Sequence, residues 1–593
     1  MRGNPRTFLF SDIMHFMQNY LVREKMPENI DKELSEYSEL LKTLLFYRNI
    51  KTKKEAEIFL NPIFTDNYDP FLMKDMEKSV LRIFQAIEKD EKIVIFSDYD
   101  ADGIPGGVVL HDFLKKIGFS NFENYIPHRV IEGFGLNDES VDEFSKNGVK
   151  LIITVDCGIA DIKESKKIKD LGIDLIVTDH HLPKEELPEA LAILDSKQID
   201  CNYPDKNLCG AGVAFKLVQG MINKLPTFKF INFKPEPLTE GWEKWLLDMV
   251  GLATISDMVP LIGENRIFAY YGLKVLQKSR RVGLYRLLSL LKIDYRYLTE
   301  DDISFMITPR INAASRMGNP EDAFKMLVEE NEVEADKYAK HLDHINNERK
   351  GVVASLVKEI KKHWAEKDPE KKLNVLVAGN PDWKPSLLGL VANSLMDEHN
   401  GPVFLWGREE GKTLKGSCRS DGCVSIVEMM NEVKHLFDEY GGHSMSGGFS
   451  VSLAKVDILA EGLEVAYQKL KISDESKENK YIDSVLNIDE VNRDLEKQVS
   501  RLAPFGMDNP KPVFLFKNIE INESKIFGKK SEHLELKFLN KKGQKISAIG
   551  FFMKPDDFEV KVIKGEKINL VANLEKSFFR GREEIRLRIV DII

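Results

Sequence analysis

Cysteine is scarce in this chain of 593 residues: Cys157, Cys201, Cys209, Cys418 and Cys423. The number is odd and the spacing shows no zinc-type pairing, which excludes a disulfide framework and points to a reduced cytoplasm. Long apolar runs are missing too. None approaches the roughly 20 residues that span a bilayer, so no membrane partner is expected. The opening MRGNPRTFLFSDIMHFMQNY lacks the basic, apolar, small-residue order of a secretory signal. Positive charge is not in excess, since 85 Lys and Arg against 95 Asp and Glu leave a net charge of -10. That argues against a uniformly basic nucleic-acid coat while leaving room for a local basic groove. What remains, 43% hydrophobic and 30% charged, fits an ordinary globular protein whose length predicts three or four domains.

Residues 1–90 carry apolar positions at three and four spacing, as in ELLKTLLFYRNI and MEKSVLRIFQAIEKD. They predict a helical segment leading into the core. From 92 the period changes. KIVIF, KLIITV and IDLIVT are short β-branched runs separated by helical stretches such as DIKESKKIKDLG. This pattern predicts an α/β domain over 91–332 built on a parallel sheet covered on both faces. PTFKFINFKPEPLTEG (226–241) is proline-punctuated and reads as a surface loop. Residues 333–366 predict a long connecting helix of roughly 45–50 Å. A smaller α/β domain follows over 367–470, with LNVLVAG as its first strand and LLGLVANSLMDE as a helix. Within 471–593, the polar KISDESKENK reads as a linker. The runs PVFLFKNIEI, HLELKFL, QKISAIGFF, KINLVANLE and EIRLRIVDI fit a five-stranded OB-type β-barrel, with a sandwich as the alternative.

IVIFSDYDADGIPGG (93–107) crowds Asp98, Asp100 and Asp102 where an apolar strand ends. Like charges so close cost stability unless something positive sits among them. LIITVDCGIA ends in Asp156, IDLIVTDHH in Asp179, His180 and His181, and LATISDMVPL places Asp257 after another apolar run. One buried acid is explained by an ion pair and one histidine by the core. Four clusters converging as strand ends on one sheet edge are better explained as a metal cradle. Carboxylates with one or two imidazoles suit Mn²⁺ or Mg²⁺, and two ions per site would clamp both the attacking and leaving oxygens of a phosphoryl group. Gly103, Gly106 and Gly107 would let the backbone come close behind.

Other signals are weaker. GREEGKT (407–413) has three residues between its glycines where a P-loop needs four, and reads as a surface turn. Cys418 and Cys423 lack a second pair for zinc, and Cys157 reads as a small half-buried thiol. QKSRRVGLYR fits a solvated helix face as well as a DNA contact.

SDYDADG, VDCG, TDHH and ATISDMVPL resemble the successive motifs of the DHH phosphoesterases. PHRVIEGFGL and ITPRINAASRMG narrow the resemblance to the RecJ family of single-strand-specific 5′→3′ DNA exonucleases. LKGSCRSDG and YGGHSMSGGFS look like the associated DHHA1 domain, and RLAPFGMDNPKPVF like the start of the RecJ OB domain. The likeness runs from about residue 40 to the end.

The resemblance implies metal ligation by Asp100, Asp102, Asp156, His180 and Asp257, with Asp98 in the same cradle. It implies His181 facing the scissile phosphate and Asp179 orienting it. Arg129, Arg316, Asn312, Ser417 and Arg419 match substrate-holding positions, chiefly for a 5′ phosphate, and His443 would approach the nucleotide from the DHHA1 side. The implied partner is 5′-phosphorylated single-stranded DNA, with a helicase or single-strand-binding protein as an associate. Two departures stand out: Trp383-Lys384 where many relatives carry Trp-His, and Phe96 where some place a histidine ligand. Other DHH proteins cleave short oligoribonucleotides or cyclic dinucleotides, or serve as replication scaffolds. The full ligand set and the barrel favour the exonuclease. Phe578, Phe579, Arg580, Arg582, Arg586 and Arg588 in SFFRGREEIRLR are expected on a strand-binding surface of the barrel, unless both phenylalanines fill its core. The barrel is expected to be separable near Asn509.

Overall fold

The computed structural model describes residues 20–278, 280–366, 374–408, 413–471, 480–528, 530–579 and 582–593. The β-branched runs form a five-stranded, wholly parallel sheet of β2 (Lys92–Ser97), β3 (Phe122–Tyr125), β4 (Val149–Val155), β5 (Asp174–Thr178) and β6 (Ala192–Leu194). Its order is β3-β2-β4-β5-β6. β3 and β6 are too short to stand out in the sequence. Side-chain alternation divides the core in two. Ile93, Ile95, Ile153 and Ile176 pack on one face with the helices Met76–Glu88, Gly103–Lys116 and Gly210–Lys224. Val94, Phe96, Ile152 and Val177 pack on the other. Phe96 stacks on Tyr125 at 5.5 Å and is fully buried, so it serves as a ring of the core.

The helix Glu332–Glu366 runs 35 residues. Ala339, Leu342 and Ile345 join the first core, and Leu356 and Ile360 join the second domain. That domain carries a mixed five-stranded sheet, β7 (Leu376–Gly379), β8 (Val403–Arg408), β9 (Leu414–Arg419), β10 (Glu439–Gly442) and β11 (Ser446–Val451), in the order β10-β11-β9-β8-β7.

For the helices before residue 61 the N-terminal expectation needs correction. Leu34, Leu41, Leu44, Leu45, Ala56 and Leu60 do not lead into the DHH-type core. They share one core with Phe514, Phe516, Leu534, Leu570 and Leu587 of the C-terminal sheet. Ahead of them, β1 (Tyr20–Val22) pairs in parallel with β12 (Lys480–Ile482). Amphipathic periodicity says that a helix has a buried face and is silent on what buries it.

The C-terminal sheet has seven strands where five were expected. The five runs become β14 (Phe514–Glu520), β16 (His533–Leu539), β17 (Lys545–Phe551), β18 (Lys567–Phe579) and β19 (Arg582–Ile592), joined by the short β13 (Ser484–Leu486) and β15 (Glu523–Phe527). The barrel is therefore not separable at Asn509, because such a cut strands residues 28–60. A chain ending there is expected to bind a hydrophobic dye strongly, and a chain of residues 61–471 only weakly. Equal dye binding by the two would show that the N-terminal helices hold without the sheet.

Several smaller readings change. Loop 226–241 is irregular, as expected. In the basic run, Arg281 forms ion pairs with Asp248 and Asp112, both at 2.7 Å, and Arg280 lies over Trp245 at 3.7 Å, so these two are structural. Cys157 is fully buried, not half-buried. Residues 409–412 of GREEGKT and 472–479 of the polar run lie outside the described residues, as do Arg580 and the side chains of Phe578, Phe579 and Arg582. Arg586 pairs with Glu575 at 3.0 Å, and Arg588 lies over the Phe551 ring at 3.9 Å. Among the described residues no helix is long and apolar enough to cross a membrane.

Candidate metal centre

The carboxyl ends of β2, β4 and β5 deliver their acids to one edge because the backbone ladder continues past each strand. Asp98 N–H donates to Val155 O at 3.0 Å, Asp156 N–H to Thr178 O at 2.9 Å and Asp179 N–H to Leu194 O at 3.1 Å. Asp257 arrives differently. It caps the helix Leu247–Ser256, not a strand as expected. Leu247 to Ile255 are all buried, so the helix has no polar stripe and its sequence reads like a buried strand.

Asp98, Asp100 and Asp156 form one group whose ligand-type oxygens lie within 4.8 Å of one another, and Asp102, His180 and Asp257 form a second. Asp156 also groups with His180 and His181. Its Oδ1 is 3.1 Å from His180 Nε2, which in turn is 3.7 Å from both Asp102 and Asp257. Asp156 thus stands between the groups. It does so at φ +64°, a left-handed conformation that a non-glycine residue holds only under constraint. Gly210 allows that approach, since a Cβ there would lie 2.5 Å from Asp156 Cβ.

Two features invisible in the sequence shape the cradle. Asp102 accepts from Gly210 N–H at 2.6 Å and Ala211 N–H at 2.8 Å, at the positive end of the helix Gly210–Lys224. Asp100 Oδ1 accepts from Asp102 N–H at 2.7 Å and Gly103 N–H at 3.1 Å, closing the turn. Gly103 sits against the Asp98 backbone, Gly106 against Val155 and Gly107 against Ser97.

The electrostatics are those of a buried, crowded anion cluster. Burial first, then the neighbouring carboxylates, holds Asp98 and Asp156 well above the ordinary range. Burial and Asp100 push Asp102 up to about 7. Burial, then Asp102 and Asp100, push Asp257 to about 9. Asp98 Oδ1 and Asp156 Oδ1 are buried and accept no hydrogen bond. Burial, aided by the charge on His181, lowers His180 to about 3, the neutral form a metal ligand requires. Orphaned oxygens, crowded carboxylates and a neutral imidazole fit hard divalent cations.

Asp179 is arranged otherwise. Its Oδ2 accepts from Ile159 N–H at 3.0 Å, and its Oδ1 lies 2.8 Å from His181 Nδ1. Burial would raise Asp179, yet the His181 hydrogen bond and charge bring it below the usual range. Burial would likewise lower His181, but Asp179 raises it to about 9. The His181 side chain is 47% exposed, so it faces the open side.

The expected substrate residues fall into two sets. Arg316, Ser417 and Arg419 meet the N-terminal part of the helix Pro385–His399, at Ser386 and Gly389. Arg316 Nη1 donates to Ser386 O at 2.7 Å, and the Arg419 guanidinium packs so tightly on Gly389 that a Cβ there would be 2.8 Å away. Burial, then Arg129 and Arg349, lower Arg316 to about 9. Arg129 lies over Tyr99 at 4.9 Å. Asn312 instead holds the cradle, its Oδ1 accepting from Ala101 N–H at 2.9 Å. His443 is exposed on the β10–β11 turn. Trp383 is buried and donates to Glu359 at 3.3 Å, which leaves Lys384 as the cap of the helix Pro385–His399. Sequence reasoning missed Arg349, in HINNERK on the long helix, whose buried Nε lacks a partner. It also missed Lys197, which holds the His180 carbonyl.

Family models match three stretches: DHH family, N-terminal domain, over 92–253; DHHA1 domain over 372–471; and RecJ OB domain over 482–591. The single-stranded-DNA-specific exonuclease RecJ of Bacillus subtilis is 32% identical over 553 residues, covering 93% of this chain and 67% of the relative. That of Haemophilus influenzae is 29% identical and covers 97% and 99%. The structure of RecJ with Mn²⁺ from Thermus thermophilus superposes with a TM-score of 0.77 at 24% identity, covering 97% of this chain and 79% of that one. A structure of exonuclease RecJ bound to manganese gives 0.56 at 29% identity, covering 67% and 95%.

Proposed function

Since the chain belongs to the RecJ family of single-stranded-DNA-specific exonucleases, we infer that it hydrolyses single-stranded DNA from the 5′ end with two Mn²⁺ or Mg²⁺ ions, in repair and recombination. The observation that carries this reading is Asp156, one carboxylate standing between two ligand groups on one sheet edge. Asp98, Asp100 and Asp156 would hold one ion; Asp102, His180 and Asp257, with Asp156 between, would hold the other. Bound there, such ions offset the carboxylate charge, polarise the phosphoryl oxygens and acidify water.

The chain's own groups do the rest. His181, with Nδ1 directed at Asp179, presents Nε2 as a proton-bearing donor to a scissile-phosphate oxygen. Arg316, Ser417, Arg419 and the helix N-terminus at Pro385 suit a terminal phosphate, and Arg129 the phosphate beside it. Asn312 keeps the cradle loop in place through Ala101. His443 meets the nucleotide from the second domain. A helicase or single-strand-binding protein would supply the free strand, and the five free thiols suit a reducing cytoplasm.

The test compares a 5′-labelled single strand, its duplex form and a dinucleotide. Only the single strand should be degraded efficiently, from its 5′ end. A 5′ phosphate should be preferred over a 5′ hydroxyl by about one to two decades, since charge-assisted contacts contribute about 1.5–3 kcal/mol each. Arg419→Ala should erase most of that preference. Digestion from the 3′ end, or equal rates on both termini, would reassign these arginines.

A further inference from the structure

A groove of about 1060 Å³ lies away from the metal centre. It lies between loop 64–71, the C-terminal half of the helix Gly210–Lys224 and the proline-punctuated loop 226–241. The N-terminus of that helix holds Asp102, whereas Ile222 in the groove is twelve residues, or about 18 Å, further along. None of the residues placed at the metal centre or among the expected substrate contacts lines it.

Its chemistry has three parts. The apolar walls include Tyr68, Phe71, Pro235, Pro237 and Trp242. Asn67 and Gln219 line it, and their atoms Asn67 Nδ2, Asn67 Oδ1 and Gln219 Oε1 are buried without a hydrogen-bond partner among the described residues, one donor and two acceptors. Such atoms are costly unless something pairs them. Asp69, Glu236, Glu240 and Glu243 also line it; among the described residues none of the four makes an ion pair and no lysine or arginine lines the groove, while Asp69 accepts from Phe71 N–H at 3.0 Å. The walls are preformed. Tyr68 N–H donates to Glu264 at 3.0 Å, Lys216 Nζ donates to Tyr68 O at 2.6 Å, and Glu236 N–H donates to Ile117 O at 2.9 Å.

We propose that this groove docks a basic, proline-containing extended segment of a partner protein, recognised by aromatic and proline walls, two amide side chains with unpaired atoms and four carboxylates that form no ion pair among the described residues. The acidic lining repels nucleic acid, so the groove is not a continuation of the strand path. An extended or polyproline backbone makes no internal hydrogen bonds, so its N–H and C=O groups are free for Asn67 and Gln219. Its flat pyrrolidine rings suit aromatic walls, and its Lys or Arg side chains suit the carboxylates. The partner would tether the exonuclease without obstructing its metal centre.

The test is an array of peptides about ten residues long built on Pro-x-x-Pro, with Lys or Arg, Gln, or Glu at the variable positions. Binding to the full chain is read by fluorescence anisotropy. Basic members should bind, and their Gln and Glu counterparts should not. The triple variant Glu236→Gln, Glu240→Gln, Glu243→Gln, which keeps side-chain size, should weaken binding about tenfold or more, and raised salt should do the same. Trp242→Ala should also weaken it, and exonuclease activity should be unchanged in both variants. The proposal is overturned if no basic member binds or the triple variant binds as well as wild type. Displacement of basic peptides by single-stranded DNA would overturn it too, by placing them in the strand path.

Discussion

Asp156→Ala is expected to reduce turnover by at least about 10³-fold while leaving the protein folded. Loss of a group that merely orients a ligand costs 10–100-fold, and Asp156 belongs to two ligand groups at once, so its loss should exceed that range. Retention of the fold follows from the electrostatics. Without ions, Asp156 is a buried carboxylate crowded by Asp102, Asp100, Asp98 and Asp257, and burial and repulsion both work against its charge. Removing it should therefore leave the metal-free thermal midpoint unchanged or raise it. Circular dichroism and a single-strand digestion assay measure the two effects side by side. A folded variant with more than a few per cent of wild-type turnover would refute a centre shared through Asp156.

The second large effect is a metal-dependent reversal of the response to pH. Asp102 at about 7, Asp257 at about 9, and Asp98 and Asp156 well above the ordinary range all have folded values above their unfolded ones. The stability such groups contribute is complete below the unfolded value and is lost as pH rises through the folded one. His181, raised to about 9, acts in the same direction. His180, lowered to about 3, acts only below its unfolded value near 6.5. Between about pH 7 and 9 every contribution from the centre has one sign. The stripped protein should melt at progressively lower temperature across that window.

Divalent ions bind the ionised carboxylates in competition with protons, so their stabilisation should grow with pH. At roughly 100 times the dissociation constant, one site adds about 2.7 kcal/mol. Two such sites in a domain of this size correspond to a shift on the order of 10 °C. Thermal denaturation with Mg²⁺ and with chelator, at the two ends of the window, measures it. A gap between loaded and stripped protein that narrows as pH rises would mean these carboxylates are not the ligands.

Much of this molecule is determined by short-range pattern. β-branched runs of five to seven residues alternating with helical periods leave little choice but a covered parallel sheet, and such a sheet brings its strand ends to one edge. Asp98, Asp156, Asp179 and His180 are therefore legible as a cluster from sequence alone. The 35-residue helix is legible for the same reason, because its period persists longer than any competing signal.

Tertiary structure decided what period cannot encode. Asp257 sits at the end of a helix buried all round, whose sequence lacks the polar stripe that distinguishes helix from strand. The helices before residue 61 found their core some 450 residues away in the C-terminal sheet, because amphipathicity specifies a face and not its partner. Asp102 is held by the N–H groups of Gly210 and Ala211, backbone atoms that carry no residue-type signal. Asn312 turned inward to Ala101, while Arg349 approached Arg316 from the long helix. Each of these depends on which surfaces meet in three dimensions, and that is settled by packing across the whole chain.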